Sequence, residues 1–270
     1  IINSNPSIAY LMKENALYLQ ALIMAHCIGH SDFFKNNKEF KNTRPVSVVA
    51  KFRNAKKRIQ GYIEDTNIGI KKVENLLDAV HAIRFQTEWY DIDRPSHSEL
   101  RKKYEILKRD DKSEKYSDFN IEKFPLEPDF DILKFFIDNC RHMAEWEKDI
   151  IEIVRSESHY FIPQIKTKIM NEGWASFWHY KLMNEVGLPG SMHIPFIKSH
   201  NQVIRPHIGG INPYHLGFWL FKKIEKESGL DECFFVRENF NDESFLRTFL
   251  DYDSMLELNL FTYSKKKEAY

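Results

Sequence analysis

Asn171-Glu172-Gly173-Trp174-Ala175-Ser176-Phe177-Trp178-His179-Tyr180 is the stretch whose reading decides how this chain folds. Trp174, Phe177 and Trp178 recur at helical spacing. Glu172, Ser176 and His179 fall at i, i+4 and i+7, so they share one face of that helix. A carboxylate inside so aromatic a segment is costly unless it is paired or bound to a cation. Two readings follow. Either Glu172 pairs with an Arg or Lys, or sits in a first turn where the helix dipole favours it. Or it is a metal ligand, with His179 a further ligand or a hydrogen-bonded support.

Outward from this segment the pattern is helical. The spacing predicts a helix over residues 168–186, after a break at Pro163. At the start of the chain, Asn5 is a good N-cap and Pro6 suits a first helical position. A buried central helix is expected from there to about Phe34, with Ile8, Leu11, Leu19, Leu22 and Ile23 as apolar positions. Further helices are expected over residues 46–62, 70–85, 129–140 and 145–161. The charged region 91–128 reads as a solvated helix followed by a loop. Residues 187–210, with Pro189, Pro195 and Pro206, read as irregular. Asn212-Pro213 opens a helix to about Ser228. The tail, residues 231–270, reads as a small C-terminal subregion with a short helix after Asn241-Asp242-Glu243-Ser244 and a strand candidate at 256–262. The fold class is therefore mainly α, a single helical domain over 1–270 with little strand.

Composition agrees. Of the 270 residues 43% are hydrophobic, enough for a substantial core, and only 10 Gly and 10 Pro interrupt them. Lys and Arg balance Asp and Glu at 39 each, which gives no global reason to expect nucleic acid or an anionic membrane as partner. Cys27, Cys140 and Cys233 form no C-x-x-C pair, so a disulfide framework is not expected and a reducing cytoplasm is the natural compartment. No apolar run approaches the roughly 20 residues a bilayer span needs. Because the chain opens on Ile1-Ile2-Asn3-Ser4-Asn5-Pro6, it reads as a fragment of something longer.

Two further constellations carry chemistry. In His26-Cys27-Ile28-Gly29-His30 the histidines stand one helical turn apart, the spacing that lets two imidazoles reach one metal ion. Gly29 and Ala25 beside them permit close approach of another backbone. In Gly209-Gly210-Ile211-Asn212-Pro213-Tyr214-His215-Leu216-Gly217, Tyr214 and His215 fall in the first turn of a helix, where either can donate to a developing oxyanion. Of the histidines before it, His193, His200 and His207, only His200 is singled out. The plain alternatives are core or surface histidines and a packed, capped helix. A redox di-metal bundle wants paired Glu-x-x-His motifs, and Glu172 and His179 are seven apart.

Together these pieces resemble the stage V sporulation protein R (SpoVR) family. The resemblance rests on Asn3-Ser4-Asn5-Pro6 with Ala9-Tyr10-Leu11-Met12; on Ala25-His26 with Gly29-His30 and Phe33-Phe34-Lys35-Asn36-Asn37; on the opening segment; on Gly210-Ile211-Asn212-Pro213-Tyr214 with Leu216-Gly217-Phe218; and on Asn239-Phe240-Asn241-Asp242-Glu243-Ser244-Phe245. It implies a cytoplasmic bacterial protein tied to spore cortex formation, working in the mother cell of a spore former, with other sporulation proteins as partners. Members of that family extend further at both ends. A more distant resemblance is to glutamate-type zinc peptidases. These carry H-E-x-x-H on one helix, a third ligand Glu on a later one, often within Glu-Gly-x-Ala, and a following Tyr or His that stabilises the transition state. That resemblance implies a two-helix metal core with His26, His30 and Glu172 as ligands of a divalent metal, zinc first, and Tyr214 in the later role.

The departure is Cys27, where the peptidase pattern has its general-base Glu. Glu14 or His179 would have to supply the base, or the reaction is not peptide hydrolysis, or the site is structural. Two functions are expected accordingly. One is a metal-dependent hydrolase of an amide or peptide bond, acting on peptide or cell-wall-derived material, with Tyr214 or His200 stabilising the oxyanion. The other is a non-catalytic sporulation protein presenting the same fold to partners.

Overall fold

The computed structural model describes residues 2–87, 95–110, 120–122, 126, 130–207 and 209–261. In chain order the helices are α1 (Leu17–Asn36), a 3-10 turn (Lys38–Phe40), α2 (Val48–Glu64), α3 (Ile70–Ile83), α4 (His97–Asp110), α5 (Ile132–Asn139), α6 (Glu145–Lys166), α7 (Lys168–Glu185), α8 (Gly190–Val203), α9 (Pro213–Ser228), α10 (Leu230–Asn239), α11 (Asp242–Phe249) and α12 (Tyr252–Glu257). There is no strand among the described residues; the expected strand at 256–262 is helix α12 and a turn as far as it is described. The chain divides into two compact units, residues 1–53 with 163–270, and residues 54–162. In the second unit Val80, Leu133, Ile151 and Val154 form a small core. Beside it Asp131 caps α5 through the Lys134 N–H (2.9 Å) and accepts from Arg155 Nε at 2.8 Å.

The first unit is built around α7. Most of that helix is buried, including Met170, Gly173, Trp174, Ala175, Phe177 and Met183, as expected of a helix that is apolar on several faces. Trp174 and Phe177 pack with Phe33 of α1, with Leu216, Leu220 and Phe221 of α9, and with Val236 and Phe245 of α10 and α11. Each such side chain, fully removed from water, contributes about 1.5–3 kcal/mol. Thr167, at the N-cap of α7, makes no capping bond. The cap comes instead from Asp242, whose carboxylate accepts from the Ile169 and Met170 N–H groups at 2.8 and 2.9 Å. Asn241 in turn closes a capping box on α11 and reaches Glu39 at 3.1 Å. Asn37 donates to the carbonyls of Arg237 and Phe240 at 2.7 and 2.8 Å, which ties the end of α1 to α10.

Three boundaries differ from the sequence expectation, two of them for a tertiary reason. Helix α1 starts at Leu17, not at Asn5. The buried Asn3 side chain donates to Thr43 at 3.2 Å and the Asn5 N–H donates to Pro45 at 3.3 Å. These long-range bonds hold residues 3–5 against 43–45 and override the local capping preference. Helix α6 continues through Pro163 to Lys166. Residues 190–203, expected irregular, form α8 with Pro195 inside it. The burial of Phe196 against Leu22, Ala25 and Met183 outweighs the hydrogen bond that the proline removes.

The closest packing involves backbone. A Cβ on Gly217 would lie 2.2 Å from the Ile169 carbonyl oxygen, one on Gly173 would lie 2.4 Å from the Gly217 backbone, and one on Gly29 would lie 2.8 Å from Ala175 Cα. Backbone cannot step aside as a side-chain rotamer can, so Gly217→Ala and Gly173→Ala are expected to cost at least about 3 kcal/mol, the upper end for overpacking. Gly29→Ala is expected to cost less. Gly61, inside α2, has nothing within 4 Å of its added Cβ, and Gly61→Ala should stabilise by about 0.5–1 kcal/mol. Urea unfolding of the four variants measures the order; a harmless Gly217→Ala would refute this packing.

Candidate metal centre

Helix α1 presents His26 and His30 on one face, and their rings lie 4.5 Å apart between centroids, edge to face. Helix α7 lies across them because Gly29 meets Ala175. That contact sets Glu172 over the pair: its Oε2 is 3.3 Å from His30 Nε2 and 3.7 Å from His26 Nε2. The three donor atoms all lie within 4.8 Å of one another. Bonds of about 2.0–2.1 Å at a tetrahedral angle separate two ligand atoms by about 3.3–3.4 Å, and the two carboxylate–imidazole distances are close to that value.

The remaining nitrogens are engaged. His30 Nδ1 is 2.8 Å from Asn171 Oδ1. His26 Nδ1 is 3.0 Å from His179 Nδ1, and His179 Nε2 is 2.7 Å from His200 Nδ1. His179 is fully buried and His200 nearly so. Helix α8 places the His200 ring between Tyr180 and Phe218, at centroid distances of 4.9 and 5.0 Å. Asn212 places Tyr214: it donates to the Val203 and Arg205 carbonyls and caps α9 through the Tyr214 N–H at 3.0 Å. The Tyr214 ring stacks 6.1 Å from His26.

The electrostatics follow from burial. Burial works to raise the Glu172 carboxyl, and the two imidazoles outweigh it and hold it down at about 2. Burial lowers His26, against the raising effect of Glu172. Burial, with the charges of the other histidines, takes His179 down to about 2; burial and then Lys222 take His200 to about 4. Burial pushes the Tyr214 phenol up to about 12, and the Glu172 charge acts the same way, so the hydroxyl keeps its proton. Glu172 Oε2 is buried with no hydrogen-bond partner. No Lys or Arg stands against it among the described residues, and it lies beyond the first turn of α7. Neither structural account of this carboxylate offered by the sequence applies. A carboxylate held at ion-pair distance between two imidazole nitrogens, with no Lys or Arg to neutralise it, fits a divalent cation.

His26, His30, Glu172, His179, His200 and Tyr214 thus come together. Glu14 is not among them: it occupies an exposed turn ahead of α1. His207 is also exposed. Cys27 is half-buried, and burial raises its thiol, which stays protonated. Asn171 was missed, although it directly precedes Glu172 in the deciding segment. A ligating imidazole needs a partner for its second nitrogen, and a polar side chain within that apolar run was the available sign.

Across residues 1–270 the chain matches the family model described as SpoVR like protein. A curated relative, "Uncharacterized protein YcgB" of Escherichia coli (strain K12), is 34% identical over 311 residues. The match covers 97% of this chain and 60% of the relative, so the chain spans well under two thirds of that protein's length. No solved structure matches.

The depressed histidines have a consequence for stability. An unfolded histidine gains its proton as pH falls through about 6.5, while folded His179 and His200 stay neutral down to about 2 and about 4. The unfolded state then binds more protons, so stability present above pH 6.5 is lost as pH falls. The expected slope is about 1.4 kcal/mol per pH unit for each group, before ordinary carboxylates titrate. Urea midpoints of metal-free protein between pH 7.5 and 5 read this slope, which His200→Gln should reduce. Asp242, which burial raises to about 6, acts in the opposite direction in native protein and variant alike, so the readout is the difference between them: identical slopes for native protein and His200→Gln would exclude a buried neutral His200.

Proposed function

We propose that this chain, which belongs to the SpoVR like protein family, holds one divalent cation, zinc by its donor set, at His26, His30 and Glu172, and uses it on the carbonyl of an amide or peptide. The observation that carries the proposal is the buried Glu172 Oε2, without a hydrogen-bond partner and 3.3 and 3.7 Å from the two Nε2 atoms. Three protein ligands on a four-coordinate ion leave one position open, the pattern of catalytic and not structural zinc. The order His, His, Glu along two helices also supports the likeness to glutamate-type zinc peptidases. When bound, the ion supplies Lewis-acid polarisation of a carbonyl and activation of water. Asn171 holds the His30 ring through Nδ1, and Tyr214, neutral and beside His26, donates its O–H to oxygen that gains charge in the reaction.

A second reading, a non-catalytic protein stabilised by the same ion, is favoured by one observation. None of the candidate bases is placed for the role: burial raises the Cys27 thiol, Glu14 lies in an exposed turn ahead of α1, and both nitrogens of His179 are engaged.

Elemental analysis of the protein purified without added metal is expected to find one equivalent of zinc per chain. Glu172→Ala and His30→Ala should weaken binding beyond the roughly 10–100-fold of an outer-shell change. No metal in the native protein, with melting indifferent to chelator and to both substitutions, would sink the proposal. Tyr214→Phe should keep the metal and slow hydrolysis of a peptide library by about 10²–10³-fold. A metal-loaded native protein that cleaves neither peptides nor cell-wall muropeptides leaves the second reading standing.

A further inference from the structure

We propose that His200 is a positioning residue of the metal centre: acting through His179, it fixes the tautomer of His26 and so keeps His26 Nε2 free to bind the ion. The inference rests on the metal reading above and adds a direction to the histidine chain.

Each hydrogen bond between two imidazoles needs one N–H and one lone pair. If His26 Nε2 carries no proton because it faces the cation, the ring's proton is on Nδ1. His26 Nδ1 then donates across 3.0 Å to His179 Nδ1. An accepting Nδ1 places the His179 proton on Nε2, and that N–H donates across 2.7 Å to His200 Nδ1. His200 in turn must carry its proton on Nε2. The chain therefore has one allowed direction, away from the cation, and His200 is its terminal acceptor. If His200 presented an N–H at Nδ1 instead, every bond would reverse. His179 would donate to His26 Nδ1, and the His26 proton would move to Nε2, where it blocks the ligand position. The His30 branch is fixed more simply, because Asn171 Oδ1 can only accept. The two ligand histidines are thus oriented by different means: an amide oxygen for His30, and for His26 two imidazoles in sequence together with a hydrogen bond to the Ala175 backbone.

The structure holds His200 for this role. Its ring stands 88° to that of His179, at a centroid distance of 4.9 Å. Phe196, Tyr180 and Phe218 surround it with aromatic faces. It is 2% exposed, so bulk water does not compete for the bond.

The test has two arms. In zinc-loaded native protein labelled with ¹⁵N-histidine, long-range ¹H–¹⁵N spectra are expected to show His179 and His200 deprotonated at Nδ1 and protonated at Nε2. The opposite tautomer at either ring overturns the proposal. In zinc titrations, His200→Leu, which removes the acceptor, is expected to bind about 10–100-fold more weakly yet still reach one zinc per chain at saturation. His200→Asn, whose Oδ1 stands near the position of the imidazole Nδ1, is expected to stay within a few-fold of native. Native affinity in His200→Leu overturns the proposal, as do equal losses in both variants, which would indicate packing alone. A native protein that takes up no zinc overturns the metal reading and this inference with it; zinc uptake with the wrong tautomer overturns this inference only. The spectral arm uses the unaltered chain, so a variant that fails to fold leaves it standing.

Discussion

Three helices meet at their backbones, and the rest of the first unit depends on that contact. Gly173 lies against Gly217 and Gly29 against Ala175, at separations that no Cβ on the glycines would permit. Glycine inside a helix costs about 1 kcal/mol relative to alanine, so three of them need a compensating reason. The reason is reach. Imidazole and carboxylate side chains are short, and Nε2 atoms from α1 come within 3.3–3.7 Å of an Oε2 from α7 only if the helices almost touch. With alanine at these positions α7 would be pushed off both neighbours. The apolar contacts of Trp174 and Phe177 could adjust to that, whereas a cluster of polar atoms at bonding distance could not.

The remainder follows from burying polar groups in a dry interior. Once His26, His30 and Glu172 are enclosed, each nitrogen and oxygen needs a partner or carries a penalty of several kcal/mol. Asn171 answers for one imidazole and His179 with His200 for the other. Asp242 answers for the N–H groups at the start of α7, which has no cap of its own. The sequence blocks that look unrelated along the chain are thus linked. Asn37, Asn241 and Asp242 hold the ends of the helices whose middles carry the histidines and the carboxylate. Glu172 Oε2 is buried without a hydrogen-bond partner and lies 3.3 Å from His30 Nε2 and 3.7 Å from His26 Nε2.

Legibility in the sequence depended on whether a signal was local. The helices α7 and α9 were readable because their apolar spacing, and for α9 the Asn212-Pro213 cap, act within a few residues. The i, i+4 histidines and Glu172 were readable because a polar atom in an apolar helix is conspicuous. The start of α1 was misread because Asn3 and Asn5 bond to residues about forty positions away. Helix α8 was misread because three prolines signal a break, and only the tertiary burial of Phe196 and His200 overrides them. His200 was expected as an oxyanion donor; that its ring is buried and faces His179 is set by tertiary packing, and nothing local in the sequence says so. Glu14 has the right chemistry for a base, but its place in an exposed turn ahead of α1 is not something its own residue type signals.

Cys27 marks how far the site's chemistry runs. A glutamate at that position would be ionised at neutral pH and two bonds longer, able to reach past the ligand beside it and take a proton from water. A thiol has neither the reach nor, with burial raising it, the charge. His179 cannot replace it, since one nitrogen faces His26 and the other His200. On the metal reading proposed above, the site would offer a cation's affinity for a carbonyl oxygen and, from Tyr214, a neutral phenol beside it. Those two features stabilise negative charge on a substrate and do not by themselves create a nucleophile. On the proposed metal reading, the residues present would match the zinc-peptidase pattern at His26, His30, Glu172 and Tyr214 and depart from it at Cys27. A hydrolytic reaction on this scaffold must move its proton through solvent or through the substrate itself, at a lower rate than a site with a fixed carboxylate.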